Sequence, residues 1–281
     1  MMTVLHFINV GQGNMVLIQT ADGRHLVFDC NITIENKGDV LSYVRRIIGR
    51  APIHAFICSH RDSDHMRGVR ELHNQNTIGS IWDSDYPGTT TTSPEYLDYM
   101  ALRRQVGSQT IKKLTWEDFG RTRLRFMSAQ DYRLERNANA QGIVIKVEHR
   151  GYDRNVCLGS AMLTADSDAE TWRYGITKDY GSADLCSSVL MAGHHGSITF
   201  FDDPADTKNY YFDHIINMAP EVTIISVGQN GHGHPDKKAL QFYEHYSSGA
   251  KNGKKIFRTD HEGTMKLELK DDGLWSLNIN Q

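Results

Sequence analysis

Six consecutive residues, His60-Arg61-Asp62-Ser63-Asp64-His65, have the types and spacing to do chemistry. His60, Asp62 and Asp64 alternate, so an extended loop turns all three to one side, and His65 adds a second imidazole at the next position. Carboxylates and imidazoles held this close repel one another or stay badly desolvated unless cations join them, and first-row divalent metals accept both ligand types. The stretch predicts a metal site. The plainer alternative is a solvated acidic turn whose histidines cap a helix.

Further His and Asp residues close other apolar runs. Val156 to Thr164 leads into Ala165-Asp166, and an aspartate at the end of a buried strand is costly unless paired or metal-bound, so Asp166 is a candidate ligand. Asp168 and Glu170 just beyond it read as solvated. Ser187 to Gly193 delivers His194-His195-Gly196-Ser197. Neighbouring side chains of a regular strand point to opposite faces, so one of the two histidines is expected to face the site while the other braces it. Val222 to Val227 ends in Gly228-Gln229-Asn230-Gly231-His232-Gly233-His234-Pro235, with a helix from Asp236; here His234 is the candidate and His232 the more dispensable. With the strand before His60, these are four strand ends carrying His or Asp, which predicts one rim where loops converge on a metal centre.

The elements that must position these residues are legible as apolar runs and turn signals. Val4 to Val10 and Met15 to Gln19 read as strands around Gly11-Gln12-Gly13-Asn14, and Ala21 to Arg24 as a turn into a strand from His25 to Cys30. Asp29 closes that strand, either holding a ligand histidine from behind or capping a loop. His6, alone on its strand, reads as structural. Asp39 to Arg50 has the spacing of an amphipathic helix, Ile53 to Cys58 is a buried strand, and Met66 to His73 begins a helix. Ile78 to Trp82 and Arg121 to Met127 read as strands and Glu95 to Gln105 as a helix. Ile143 to Val147 pairs with Val156 to Thr164 around a Gly151 to Arg154 turn. Tyr86 to Pro94, with its threonine run, reads as a mobile surface loop.

Composition narrows the class. The chain has 281 residues, 39% of them hydrophobic, which supports a single domain over residues 1-281. With 31 basic against 34 acidic residues the net charge is −3, which argues against a broadly basic nucleic-acid surface and leaves room for a local groove. Cys30, Cys58, Cys157 and Cys186 lie far apart with no CxxC pair and read as buried free thiols of a reducing compartment. No apolar run approaches the ~20 residues of a membrane span and no leader pattern precedes the first strand, so the expected location is cytoplasmic.

These residues resemble the metallo-β-lactamase superfamily and, more narrowly, the nuclease-like domain of ComEC-type DNA-uptake proteins. The matching stretches are His6 to Gly13, Val27-Phe28-Asp29, Ser59 to His65, Leu163 to Asp166, His194 to Ser197, Ser226-Val227-Gly228 with Gly233-His234-Pro235, and Phe257 to Asp260 with Gly263-Thr264. The resemblance implies an α/β fold, a four-layer αββα sandwich of two mixed β-sheets flanked by helices. It implies two divalent metal ions, Zn2+ or Mn2+: His60 and Asp62 on one, Asp64 and His65 on the other, Asp166 bridging and His234 completing the second. His194 would be a ligand or the proton donor, with His195 beside it in support. Asp29 and Asn14 would stand behind the ligands. Three departures stand out. Asn14 replaces the family's aspartate, Ala165 replaces the glycine before the bridging aspartate, and no histidine between His65 and Asp166 clearly supplies a third ligand; His149, Asn137 and Asn139 are the nearest positions.

The resulting expectation is a binuclear metal-dependent hydrolase, a phosphodiesterase or nuclease using a metal-bridging hydroxide, with Asp64, His194 and His195 at the reacting centre and a nucleic acid or nucleotide as substrate. Hydrolysis of a lactam, lactone, thioester or cyclic nucleotide is the first alternative, since the same rim serves them all. A degenerate metal-binding partner module is the second. A polymer substrate would need a basic track, for which Lys251, Lys254, Lys255, Arg258, Arg67 and Arg70 are the candidates.

Overall fold

The structure, a computed structural model, describes residues 2–153 and 155–281; Arg154, the last residue of the turn expected after Gly151, lies outside them. Two mixed sheets form its centre. The first runs Trp275–Asn278, Met265–Leu269, Thr3–Phe7, Val16–Gln19, His25–Phe28, Ala55–Ile57, Ile81–Asp83, Ser108–Thr110. Its first five strands are antiparallel neighbours, and the strands from His25 onward are parallel. The second runs Ile256–Arg258, Val222–Ile225, Val189–Met191, Cys157–Leu163, Val144–Arg150, Thr122–Ser128, Thr115–Phe119, with its parallel part from Cys157 to Arg258.

The period-two pattern of the strands decides what lies between the layers. Leu26 and Phe28 pack with Leu163, Met191 and Ile224 in a core made by both sheets, while Val27 faces the other way, onto the helices Lys37–Ile48 and Pro94–Val106 through Val44 and Tyr99. On the far side, Leu190, Ile225 and Val227 pack under Trp172, Phe200, Ile215 and Tyr243. The order helix, sheet, sheet, helix is the expected four-layer sandwich. Parallel strands require crossovers, and both sheets release theirs on the same edge, so the loops after Phe28, Ile57, Leu163, Met191 and Ile225 meet there.

Some expectations need correction. The helix expected from Met66 to His73 is two pieces, Ser63–Met66 and Val69–Gln75, broken at Gly68, whose φ of +75° only glycine adopts cheaply and whose Cβ position would lie 2.4 Å from Ile32. Thr115–Phe119, Met265–Leu269 and Trp275–Asn278 are strands that the sequence reading left out; the first and last are short and mostly exposed or half-exposed, while Met265–Leu269 alternates buried apolar with charged residues. All four cysteines are free, but only Cys30 and Cys58 are buried; Cys157 and Cys186 are exposed. No helix among the described residues is long and apolar enough to cross a membrane.

Candidate metal centre

Four residues, Asp64, His65, Asp166 and His195, place one ligand atom each within 4.8 Å of all the others. His65 Nε2 lies 3.1 Å from Asp166 Oδ1 and 3.9 Å from Asp64 Oδ1, and His195 Nε2 lies 3.4 Å from both Asp64 Oδ2 and Asp166 Oδ1. His65 Nε2, His195 Nε2 and Asp166 Oδ1 are buried and have no hydrogen-bond partner. Three orphaned polar atoms converging on one point would be expensive in a finished core, and a cation among them would satisfy all three.

The tautomers are fixed from behind. Asp29 Oδ2 accepts from His65 Nδ1 at 2.8 Å, so Nδ1 keeps its proton and Nε2 is the nitrogen that would turn a lone pair to a metal once its own proton is displaced. The Ser226 carbonyl accepts from His195 Nδ1 at 2.9 Å with the same result. Asp29 also takes the Ser59 amide at 2.7 Å and the Ser59 hydroxyl at 2.8 Å. That hydroxyl, its proton committed, accepts from His60 Nδ1 at 3.0 Å and leaves His60 Nε2 directed at Asp62 Oδ2, 3.9 Å away. One buried carboxylate thereby orients two imidazoles.

The field inside the cluster is that of a cation site. Burial alone would lower the proton affinity of His65, but Asp166, Asp29 and Asp64 outweigh it and hold the ring well above its ordinary value. Burial works against the charged form of Asp166 too, yet His65, His195 and His194 keep it well below the carboxylate range. Asp64 is lowered likewise, burial being overcome first by His65. His60 is lowered by burial and by His65, which outweigh Asp166, Asp62 and Asp29. The residues present thus fit a divalent ion with oxygen and imidazole ligands.

Backbone strain concentrates here. Asp29 (φ 57°), Ala165 (φ 48°), His194 (φ 48°) and His195 (φ 55°) are all non-glycine residues in the left-handed region. Ala165 stands where the resemblance expects glycine, and its conformation gives the reason for that preference. The His194–His195 segment corrects the strand reading: it is a turn, not a strand, so both rings reach the same side, with His194 Nε2 3.5 Å from Asp166 Oδ2. His195, expected only as support, therefore stands in the four-residue cluster. His234, expected as the completing ligand, lies outside the four but half-buried beside His194, ring centroids 5.5 Å apart, with its own buried Nδ1 lacking a partner and its proton affinity lowered by burial and by the neighbouring histidines.

The other expected residues fall as follows. Asp62 lies beside His60 but gives both its oxygens to Thr89. Asn14 is buried and its backbone N–H donates to the Asp64 carbonyl at 3.2 Å, so the main chain here supports the loop that carries Asp64, while the side-chain Nδ2 has no partner. Gly13 allows this approach, because a Cβ there would stand 2.8 Å from the same carbonyl. His6 is structural, held by Tyr43 at 2.7 Å and Gln19 at 2.9 Å. His149 bonds Thr3 and Asp271 and is no ligand to this cluster, and the Asn137 side chain is engaged by Ala140 and Glu135. Asp168 and Glu170, expected to be solvated, are half-buried and accept from Thr171 and Glu135. Sequence reasoning missed the roles of Ser59, Ser226 and Thr89. Ser59 adjoins the cluster and was within reach; Ser226 acts through its carbonyl, which no side chain announces.

The model of the metallo-beta-lactamase superfamily matches residues 8–137. In fold the chain is similar to Igni18, a metallo hydrolase from Ignicoccus hospitalis (TM-score 0.55, 9% identity, 95% of this chain and 100% of that one), and to the metallo-beta-lactamase fold protein YhfI from Bacillus subtilis (TM-score 0.53, 13% identity, 95% and 100%). The chain has the fold of these proteins, and the family model covers a little under half of it. In sequence it is similar to the competence protein ComA of Neisseria gonorrhoeae, 26% identical over 268 residues that cover 95% of this chain and 32% of ComA. It thus spans about a third of that relative's length.

Proposed function

We propose that this protein is a metallo-β-lactamase-superfamily enzyme, a metal-dependent phosphodiesterase acting on nucleotides or short oligonucleotides. The observation that carries the reading is the cluster of Asp64, His65, Asp166 and His195 with its three orphaned buried atoms. Divalent ions held there would supply Lewis-acid charge and lower the pKa of water toward ~7. His65 and His195 would offer Nε2 lone pairs once a metal displaces their protons, and Asp64 and Asp166 remain ionised throughout the neutral range. His194, whose side chain is 27% exposed, stands at the open side with Nε2 near Asp166, where it can pass a proton to a departing alkoxide.

The likeness to a competence protein over nearly the whole chain supports a nucleic-acid-derived substrate. The charge arrangement supports a small one. Lys254 pairs with Glu262, Arg258 with Asp260, Arg67 with Glu95, Arg70 with Asp98, and Lys255 donates to the Glu244 carbonyl, so five of the six candidate track residues are already engaged. Phosphate-by-phosphate binding of a polymer calls for free cations.

The test joins elemental analysis of the purified protein to hydrolysis of bis-p-nitrophenyl phosphate, with dinucleotides and long single-stranded and double-stranded DNA in parallel. Bound metal with cleavage that is nearly indifferent to salt supports the reading. Metal without cleavage of any phosphodiester sinks it, and steeply salt-dependent cleavage of long DNA alone would replace the small substrate with a polymer.

A further inference from the structure

Asp62 begins the helix Ser63–Met66, yet its carboxylate caps none of that helix's amides. It is turned instead to Thr89: Oδ1 accepts the Thr89 amide at 2.8 Å and Oδ2 the Thr89 hydroxyl at 2.9 Å. This pair of bonds is what sets Oδ2 beside His60 Nε2. The loop carrying Thr89, read from sequence as mobile, is pressed onto the histidine loop here. A Cβ on Gly88 would stand 2.1 Å from the Arg61 carbonyl oxygen, and the buried Arg61 guanidinium is tied to Asp83 at 3.0 Å and Asp85 at 2.9 Å, where the same loop begins.

The two sides of the centre are unequal. Around His65 and His195 three buried atoms lack partners, whereas His60 faces only Asp62, whose oxygens are each already hydrogen-bonded. His149 and the Asn137 side chain are committed elsewhere. Two ligands are a poor site on their own, and how firmly the carboxylate is oriented then weighs heavily in its affinity.

We propose that Thr89 is the positioning residue for a second, weaker metal position formed by His60 and Asp62, distinct in affinity from the tight position at Asp64, His65, Asp166 and His195. The proposal rests on the metal-centre reading above. Removing the hydroxyl frees one carboxylate oxygen to rotate toward solvent, which weakens the second position and leaves the first untouched, since Thr89 makes no bond to its ligands.

The experiment is titration of the metal-stripped full chain with Mn2+ and with Zn2+ by calorimetry, for wild type, Thr89→Val and Thr89→Ser. The expected result is two separable binding events in wild type, a second event weakened about 10-fold or more by Thr89→Val, as for other groups that orient metal ligands, and recovery in Thr89→Ser. Two ions of equal affinity, a single ion only, or a valine variant that changes neither constant or both alike overturns the proposal while leaving a metal-dependent hydrolase intact. Wild type that binds no ion removes the hydrolase reading as well.

Discussion

The Asp29 carboxylate lies 2.8 Å from His65 Nδ1, and both side chains are completely buried. Asp29 touches no substrate position, yet through Ser59 it also fixes His60. Asp29→Ala is expected to lower metal affinity by about 10- to 100-fold, measured by competition with a chromophoric chelator. It also strands the Ser59 amide, a loss of about 1–3 kcal/mol in chemical denaturation. A variant with wild-type metal affinity would mean that His65 needs no orientation.

Chelation is expected to destabilise the protein. An ion bound only by the native state at a thousandfold excess over its Kd adds about 4 kcal/mol, and a chelator removes that contribution. The melting temperature with Mn2+ or Zn2+ should therefore exceed that with EDTA, and Asp166→Ala should erase the difference. The same variant should lose phosphodiester turnover by about 10²-fold or more while melting cooperatively.

Gly13 combines φ +136° with a Cβ position 2.6 Å from the Asn31 amide nitrogen and 2.8 Å from the Asp64 carbonyl. Gly13→Ala should cost about 1–3 kcal/mol and move the loop that carries Asp64. Thermal melts and metal titration together check this; a stable variant with weakened metal binding would show that the loop yields before the fold does.

His214 provides a pH dependence remote from the metal centre. Stacked on Tyr211 and packed against Phe200 at a centroid distance of 4.4 Å, it has its pKa pushed by burial from 6.5 to about 3. The folded value is the depressed one, so the neutral ring's contribution is fully present above pH 6.5 and is lost as pH falls toward 3. Each pH unit in that window removes about 1.4 kcal/mol. Urea midpoints of His214→Phe should decline less steeply than wild type between pH 6 and 4; parallel slopes would show that the ring gains no proton on unfolding.

Much of this was legible in the sequence for a physical reason. His60 to His65 is contiguous, and Asp166 and the histidine pair each end an apolar run, so local pattern sufficed to nominate them. That His195 joins Asp64, His65 and Asp166 was not legible, because it depends on two successive left-handed residues that the strand pattern before them does not foretell. The role of Thr89 was hidden inside a run of four threonines, any of which could have met Asp62. The edge strand Trp275–Asn278 is four half-exposed or exposed residues with only two apolar side chains, too short a pattern for strand recognition, while Met265–Leu269 does alternate apolar with charged residues and was within reach.

Asp64 and His65 follow a strand of one sheet, while Asp166 and His195 follow strands of the other, with a hundred residues between the pairs. An ion held by all four is a cross-link between the two halves of the chain, and it forms only when they are docked. Were the protein cut between Ser128 and Val144, outside any strand, neither fragment alone would hold the ion tightly. Mixing the two in the presence of metal would restore the site, and the metal concentration needed would measure how strongly the halves attract each other without it.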